Sequence, residues 1–162
     1  MSSLTVRHNI EVAHRLYEMP GKCQNIHGHS MLVELTIHGH INARGVLEGL
    51  EFGAVKKEFR SFLDETFDHH LLLNENDPWA RTLYQSIQNG HGANTESFSG
   101  DQAHPLPGLV AMPGDPTTEH LAKWIAEWGA GTFHLMCDVT VHETAVNAAK
   151  VCAKPNGGTN AS

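Results

Sequence analysis

Residues 23–37 read Cys23-Gln-Asn-Ile-His27-Gly-His29-Ser-Met-Leu-Val-Glu-Leu-Thr-Ile37, a thiol and two histidines that run directly into an alternating apolar segment. This alternation predicts a half-buried β-strand from about Ser30 to His38. Side chains two residues apart point to the same face of an extended chain. His27 and His29 therefore project together, on the side that becomes apolar further along. Two converging imidazoles suit a shared metal ion.

A second triplet of the same form, His38-Gly39-His40, shows how easily the first could arise by chance, because 13 of the 162 residues are histidine. The second copy has the opposite parity, beside Thr36 and Glu34, and leads into a polar turn at residues 42–45. We interpret it as a solvated strand end. Only the first copy follows a cysteine and precedes an apolar face, which favours the first copy as the functional one.

The composition predicts one globular domain, with 40% hydrophobic and 18% charged residues in a chain long enough to bury a core. The sequence has no signal-peptide pattern and no apolar run of membrane-spanning length, so we expect a cytoplasmic protein without a membrane partner. The formal charge of −7 argues against a nucleic-acid-binding surface. Three cysteines, an odd number, fit a reducing compartment.

The hydrophobic periodicity predicts an α+β fold, a four-stranded antiparallel sheet with two helices on one face. The strands are expected at residues 4–14, 30–38, 133–143 and 145–153, and the helices at 53–67 and from the capping segment Asp115–Glu119 to a stop at Gly129. This single domain would span residues 1–153, and residues 154–162 would form a flexible tail.

Residues 75–114 are polar and rich in glycine, and we interpret them as a long insertion loop. They permit only a short helix around Trp79 to Gln88. The two histidines of this segment, His91 and His104, have no spacing that singles them out and are expected to face solvent.

Two more polar residues end predicted strands on their apolar sides. His14 ends the first strand, and although a lone histidine there is usually a core residue, catalytic zinc typically takes three protein ligands and keeps one open position. Glu143 ends the strand at 133–143. Because an unpaired buried carboxylate is costly, Glu143 should meet either a cation in a salt bridge or a bound ligand.

Cys23 lies in a loop with Pro20 and Gly21, four residues before His27. A nearby cation would stabilise its thiolate, so Cys23 could be a base or nucleophile, or it could itself be a ligand of a structural zinc ion. Asp68 and His69 form a second proton-handling pair at a predicted helix end, where neighbouring residues can face each other. A zinc lyase and a structural zinc domain both remain open.

A metal-binding cupin barrel is a further alternative. The segment Gly21-x5-His27-x-His29-x4-Glu34 partly fits the first cupin motif. However, Glu34 has the wrong parity to join the histidines in an unbulged strand, no good second motif follows, and two clear helices do not suit an all-β fold.

Six segments together resemble the 6-pyruvoyl-tetrahydropterin synthase family. They are Ala13-His14-Arg15-Leu16, Cys23-x-x-x-His27-Gly-His29-Ser30, Glu51-Phe52-Gly53, Asp68-His69-His70-Leu71, Pro116-Thr117-Thr118-Glu119 and His142-Glu143-Thr144. They occur in the family's order and cover nearly the whole chain outside residues 75–114. The spacing from Cys23 to His27 is similar to that of the 6-carboxytetrahydropterin branch, which serves the 7-deazaguanine (queuosine) pathway. The long insertion and the less aromatic first strand depart from the family pattern.

The resemblance implies a set of residue roles. Zinc would be bound by His14, His27 and His29, the abstracting base would be Cys23, and its relay would be Asp68 and His69. The pterin would be held by Glu143, Thr117, Thr118 and Glu119.

The resemblance also implies a reaction and an assembly. The substrate would be 7,8-dihydroneopterin triphosphate, and in the carboxy branch its side chain is cleaved with loss of acetaldehyde and triphosphate. The family's tunnelling fold closes sheets into a barrel on trimerisation and stacks two trimers into a hexamer. Its active sites lie between subunits, so a homo-oligomer is expected, with the insertion near the pocket mouth.

Overall fold

The computed structural model of the chain describes residues 1–88 and 108–155. Its strands are β1 (Ser2–His14), β2 (His27–Gly39), β3 (His70–Asn74), β4 (Leu109–Met112), β5 (Cys137–His142) and β6 (Ala148–Ala153). Its helices are α1 (Phe52–Thr66), α2 (Pro78–Gln88) and α3 (Thr118–Phe133), with a short 3₁₀ turn at Lys22–Gln24. None of the helices in these two stretches is long and apolar enough to cross a membrane.

The strands form a six-stranded mixed sheet in the order β4-β3-β1-β2-β5-β6, so the prediction of four antiparallel strands is wrong. Strand β5 pairs antiparallel with β2 and β6, whereas β3 pairs parallel with β1 and β4. The missed strands are β3 and β4, of five and four residues. Segments this short show no reliable alternation, and an apolar run such as Leu71 to Leu73 cannot be told from a buried helix end.

The chain divides into two compact units, and the first comprises Met1–Ile10, Ser30–Glu65 and Thr117–Ser162. Its core follows the predicted alternation, with these residues buried on β2 and β5: Met31, Val33, Leu35, Ile37, Cys137, Val139 and Val141. Helix α3 continues through Gly129 to Phe133, so the predicted stop at Gly129 is wrong. A Cβ at position 129 would lie 3.1 Å from Leu35 Cδ1, which indicates that this glycine serves close packing.

The second unit comprises Glu11–His29 and Thr66–Pro116. The ends of β1 and β3 pair here, with Val12 opposite His70 and His14 opposite Leu72. A small core of Leu73, Ala80 and Leu109 joins β3, α2 and β4.

The interpretation of residues 75–114 as a long loop with one short helix missed strand β4. Residues 78–88 form α2, as the short-helix prediction had it, and residues 109–112 form β4. Residues 89–107, with His91 and His104, and most of the predicted tail, residues 156–162, lie outside the described residues.

Candidate functional site

Three histidines of the second unit come together at the ends of two strands. His14 is the last residue of β1 and is 1% exposed, while His27 and His29 open β2 and are half-buried. Nitrogen atoms of the three rings all lie within 4.8 Å of one another. This confirms the parity argument, because the two-residue spacing of His27 and His29 turns both rings toward His14.

Backbone carbonyls hold two of these rings in a defined tautomer. His14 Nδ1 lies 2.9 Å from the Pro116 carbonyl oxygen, and His27 Nδ1 lies 2.8 Å from that of Asn25. A carbonyl can only accept, so each Nδ1 carries its proton and donates it. In a neutral imidazole the Nε2 atom then carries a lone pair, the form that binds metals.

The two Nε2 atoms of His14 and His27 are 3.1 Å apart. Two lone pairs this close repel each other, and a proton or a metal cation between them removes the repulsion. Ligands of a tetrahedral zinc ion with Zn–N bonds of about 2.0–2.1 Å lie about 3.4 Å apart, close to this separation. His29 Nε2 is buried from solvent. The three imidazoles therefore form a donor set that suits a metal ion such as zinc.

Cys23 lies in the 3₁₀ turn at Lys22–Gln24 and is exposed. Its carbonyl accepts a hydrogen bond of 2.8 Å from the Leu16 N–H, which closes the loop between β1 and β2. Across residues 1–88 and 108–155, the residues grouped for metal binding are the three histidines without Cys23. Cys23 is thus not grouped with the candidate metal ligands, and its role as a base stays a prediction.

The other two cysteines have environments that keep them protonated. Burial, followed by the nearby charge of Asp138, raises the pKa of the Cys137 thiol to about 12. A hydrogen bond to Asp138, followed by partial burial, raises the pKa of Cys152. Neither thiol is ready to ionise at neutral pH, which leaves Cys23 as the candidate base.

Asp68 and His69 face each other because helix α1 has already ended at Thr66. Glu11 N–H donates to Asp68 Oδ1 at 2.7 Å, and His69 N–H donates to the Glu11 carbonyl at 2.7 Å. His69 has a φ of 59°, the left-handed region, and its Nε2 lies 3.6 Å from Asp68 Oδ2. The prediction that the pair lies beyond the helix end is confirmed, while their cooperation in proton transfer stays a prediction.

The predicted pterin-binding residues belong to the first unit. Thr117 caps α3 by accepting a 3.2 Å hydrogen bond from the His120 N–H, and Thr118 and Glu119 begin the helix. Glu143 follows β5, is half-buried, and donates its N–H to the Asn147 carbonyl at 3.0 Å. The predicted helix start is confirmed, while binding of a ligand by these four residues stays a prediction.

Sequence reasoning missed Asp115, which we had placed in the capping segment of α3. The cap is Thr117, and the Asp115 carboxylate instead accepts hydrogen bonds from the N–H groups of Tyr17 and Glu18. Nothing in the sequence links residues that lie almost a hundred positions apart. The contact depends on the pairing of β1 with β3, which was also missed.

The chain is similar to known proteins in sequence and in fold. The model of the family described as 6-pyruvoyl tetrahydropterin synthase matches residues 3–154. A relative from Rickettsia conorii named 6-carboxy-5,6,7,8-tetrahydropterin synthase is 28% identical over 123 residues, covering 75% of each chain.

Solved structures show the same fold at lower sequence identity. An uncharacterised protein from Wolinella succinogenes superposes with a TM-score of 0.70 at 19% identity, covering 93% of this chain and 97% of the other. The 6-pyruvoyl tetrahydropterin synthase of Plasmodium vivax superposes with a TM-score of 0.64 at 19% identity, covering 94% and 98%.

Proposed function

The chain belongs to the 6-pyruvoyl tetrahydropterin synthase family, and we propose that it is a zinc-dependent carbon–carbon lyase that acts on 7,8-dihydroneopterin triphosphate. The products are 6-carboxy-5,6,7,8-tetrahydropterin, acetaldehyde and triphosphate, formed with consumption of one water molecule, in a step of 7-deazaguanine (queuosine) biosynthesis. The name and coverage of the Rickettsia conorii relative support this branch of the family.

The observation that carries the proposal is the cluster of His14, His27 and His29. Two of its rings hold their protons on Nδ1 against backbone carbonyls and turn Nε2 inward. Three imidazole ligands and an open position are the usual arrangement of catalytic zinc. When bound, zinc polarises the oxygen atoms of the substrate side chain and so acidifies the neighbouring C–H.

Cys23 is the base that accepts the proton from this carbon on its sulfur. The exposed turn that carries it lies four residues before His27, and the other two thiols are held protonated. Asp68 orients His69, whose side chain is 80% exposed and exchanges the proton with solvent.

Glu143 holds the pterin, assisted by Thr117, Thr118 and Glu119. A carboxylate accepts two parallel N–H bonds, which matches the amino group and ring N–H of a pterin edge. We further propose one domain at residues 1–153, a cytoplasmic homo-oligomer, a trimer or hexamer closed by barrel formation, and active sites shared between subunits.

The test is to incubate purified, zinc-loaded protein with 7,8-dihydroneopterin triphosphate and to identify products by mass spectrometry with an acetaldehyde trap. Carboxytetrahydropterin and acetaldehyde in equal amounts would support the proposal. A pyruvoyl product would move the protein to the other branch of the family. No turnover by a folded, zinc-replete oligomer would overturn the lyase assignment.

A further inference from the structure

The loop between β1 and β2, residues 15–26, carries Cys23 and is fastened by a carboxylate far away in the sequence. Asp115 Oδ1 accepts a 3.0 Å hydrogen bond from the Tyr17 N–H, and Oδ2 accepts a 2.8 Å hydrogen bond from the Glu18 N–H. Bonds from N–H groups to an ionised carboxylate are among the stronger hydrogen bonds in proteins. One side chain thus holds two successive backbone amides of the loop.

Asp115 is itself held in place by a buried residue. Asn74, the last residue of β3, is fully buried and its Nδ2 lies 3.0 Å from Asp115 Oδ1. Asn74 Oδ1 accepts from the Asn76 N–H at 2.9 Å, which fixes the orientation of the amide. The carboxylate is therefore attached to the rigid end of a strand rather than to another loop.

The loop has two further attachments within the same compact unit. Arg15 Nε forms an ion pair of 2.8 Å with the buried carboxylate of Asp77, and the Arg15 guanidinium lies 4.0 Å from the centre of the Trp79 ring. Within the loop itself, the Leu16 N–H donates to the Cys23 carbonyl and so joins the two ends of the loop. Two hydrogen bonds therefore connect Asp115 to Cys23. Asp115 accepts from the Tyr17 N–H, and the preceding residue, Leu16, donates its N–H to the Cys23 carbonyl.

The residue after Asp115 contacts the other half of the site. The Pro116 carbonyl accepts the hydrogen bond from His14 Nδ1. The dipeptide Asp115-Pro116 therefore orients a metal-binding ring through its backbone and the Cys23 loop through its side chain. Adjacent residues thus contact both the loop that carries Cys23 and one ring of the histidine cluster.

We propose that Asp115 is a positioning residue of the reaction, which holds the loop of residues 15–26 so that Cys23 faces the histidine cluster. This inference rests on the proposed function. In this scheme Asp115 acts through the backbone N–H groups of Tyr17 and Glu18. Its loss should lower the rate of the chemical step while the zinc ion and the ground-state binding of substrate are kept.

The experiment compares Asp115→Ala and Asp115→Asn with the parent, and Asn42→Ala is the matched control. Asn42 Oδ1 also accepts two backbone N–H groups, those of Arg44 and Val46, but in an exposed turn of the first unit. For each zinc-loaded protein, kcat and KM are measured with 7,8-dihydroneopterin triphosphate, zinc content by mass spectrometry, and amide hydrogen exchange by residue.

In Asp115→Ala we expect kcat to fall about 10–100-fold, as for displacement of a catalytic group by about 1 Å, while KM stays within about threefold. Exchange at the Tyr17 and Glu18 amides should accelerate at least about tenfold. Asp115→Asn keeps one oxygen acceptor and should lie between parent and alanine variant in kcat. Asn42→Ala should accelerate exchange only in its own turn and keep the parental kcat.

Parental kcat in Asp115→Ala, or unchanged exchange in the loop, would overturn the proposal. Loss of zinc together with activity would overturn it as well, because Asp115 would then act on the histidine cluster. If the parent protein itself does not turn over, the proposed function fails. The exchange data still decide by themselves whether Asp115 orders the loop.

Discussion

The two His-Gly-His triplets lie at opposite ends of strand β2, and their histidines have different neighbours. At the first end, His27 and His29 share a face with Met31 and converge with His14. At the second end, His38 lies on the opposite face, 3.3 Å from the Asp138 carboxylate, and His40 is exposed. The histidines of the first triplet contact another imidazole, whereas His38 of the second triplet contacts a carboxylate.

Each triplet also has a cysteine nearby, and the two cysteines differ in their surroundings. Cys23 precedes the first triplet in an exposed turn. Near the second, the Cys152 thiol is hydrogen-bonded to Asp138, which raises its pKa. A metal site needs neutral imidazoles facing each other, and a base needs a thiol able to ionise. The comparison shows that neighbours on the sheet, rather than the motif itself, decide its chemistry.

The largest loss of zinc and of activity is expected from a substitution in the first triplet. His29→Ala should lose stoichiometric zinc and lower kcat/KM by more than about 100-fold, because even removal of an outer partner of a metal ligand costs 10–100-fold. Zinc content by plasma mass spectrometry and the product assay measure both effects.

His40→Ala is the matched control, since it removes the equivalent histidine of the second triplet at an exposed position. It should keep full zinc and turnover within about twofold, as expected of a surface change. Equal zinc loss in both variants would refute the distinction between the triplets.

The next effect separates an enzyme from a structural zinc domain. Cys23→Ala should lower kcat about 10²–10⁴-fold, the usual contribution of a general base, while zinc and the melting temperature stay close to parental values. Cys152→Ala, the cysteine near the second triplet, should keep its turnover. Loss of zinc and of folding in Cys23→Ala would instead make Cys23 a structural ligand.

Much of the first triplet's environment could be predicted from the sequence, because it depends on local rules. Parity along β1 and β2 placed His14, His27 and His29 on one side of the sheet, and the structure confirms that they converge. The helix end before Asp68 likewise followed from the periodicity of α1. These features need only the period of a strand or a helix.

The rest could not be predicted, because it depends on which strands pair. The parallel pairing of β3 with β1 brings Asp115 and Asn74 to the Cys23 loop, and no local pattern encodes that partner. The second triplet was interpreted as a solvated strand end, yet His38 is half-buried beside Asp138 of β5. Contacts between strands distant in sequence were the common source of error.

The smallest expected effect is a change in folding stability, and it tests the role of Asp138 beside the second triplet. Partial burial of Asp138 acts to raise its pKa, but hydrogen bonds from Lys150, Cys152 and His38 outweigh it, so the pKa lies below its ordinary value of 3.8. A carboxyl group whose pKa is lower in the folded state stabilises the fold at pH values above its pKa in the unfolded state. This contribution disappears as pH falls through the folded pKa.

Asp138→Asn should therefore lower the melting temperature by about 2–4 °C at neutral pH, equivalent to about 1 kcal/mol of unfolding free energy. At acidic pH, as the pH falls through the folded-state pKa of Asp138, the difference between variant and parent should shrink, because the parental carboxyl also becomes neutral. Scanning calorimetry at both pH values measures this, and Glu127→Gln, at an exposed helical pair with Lys123, provides the control with little change. An equal loss of melting temperature at both pH values would mean that Asp138 contributes through packing. The charge of Asp138 would then not matter to the second triplet.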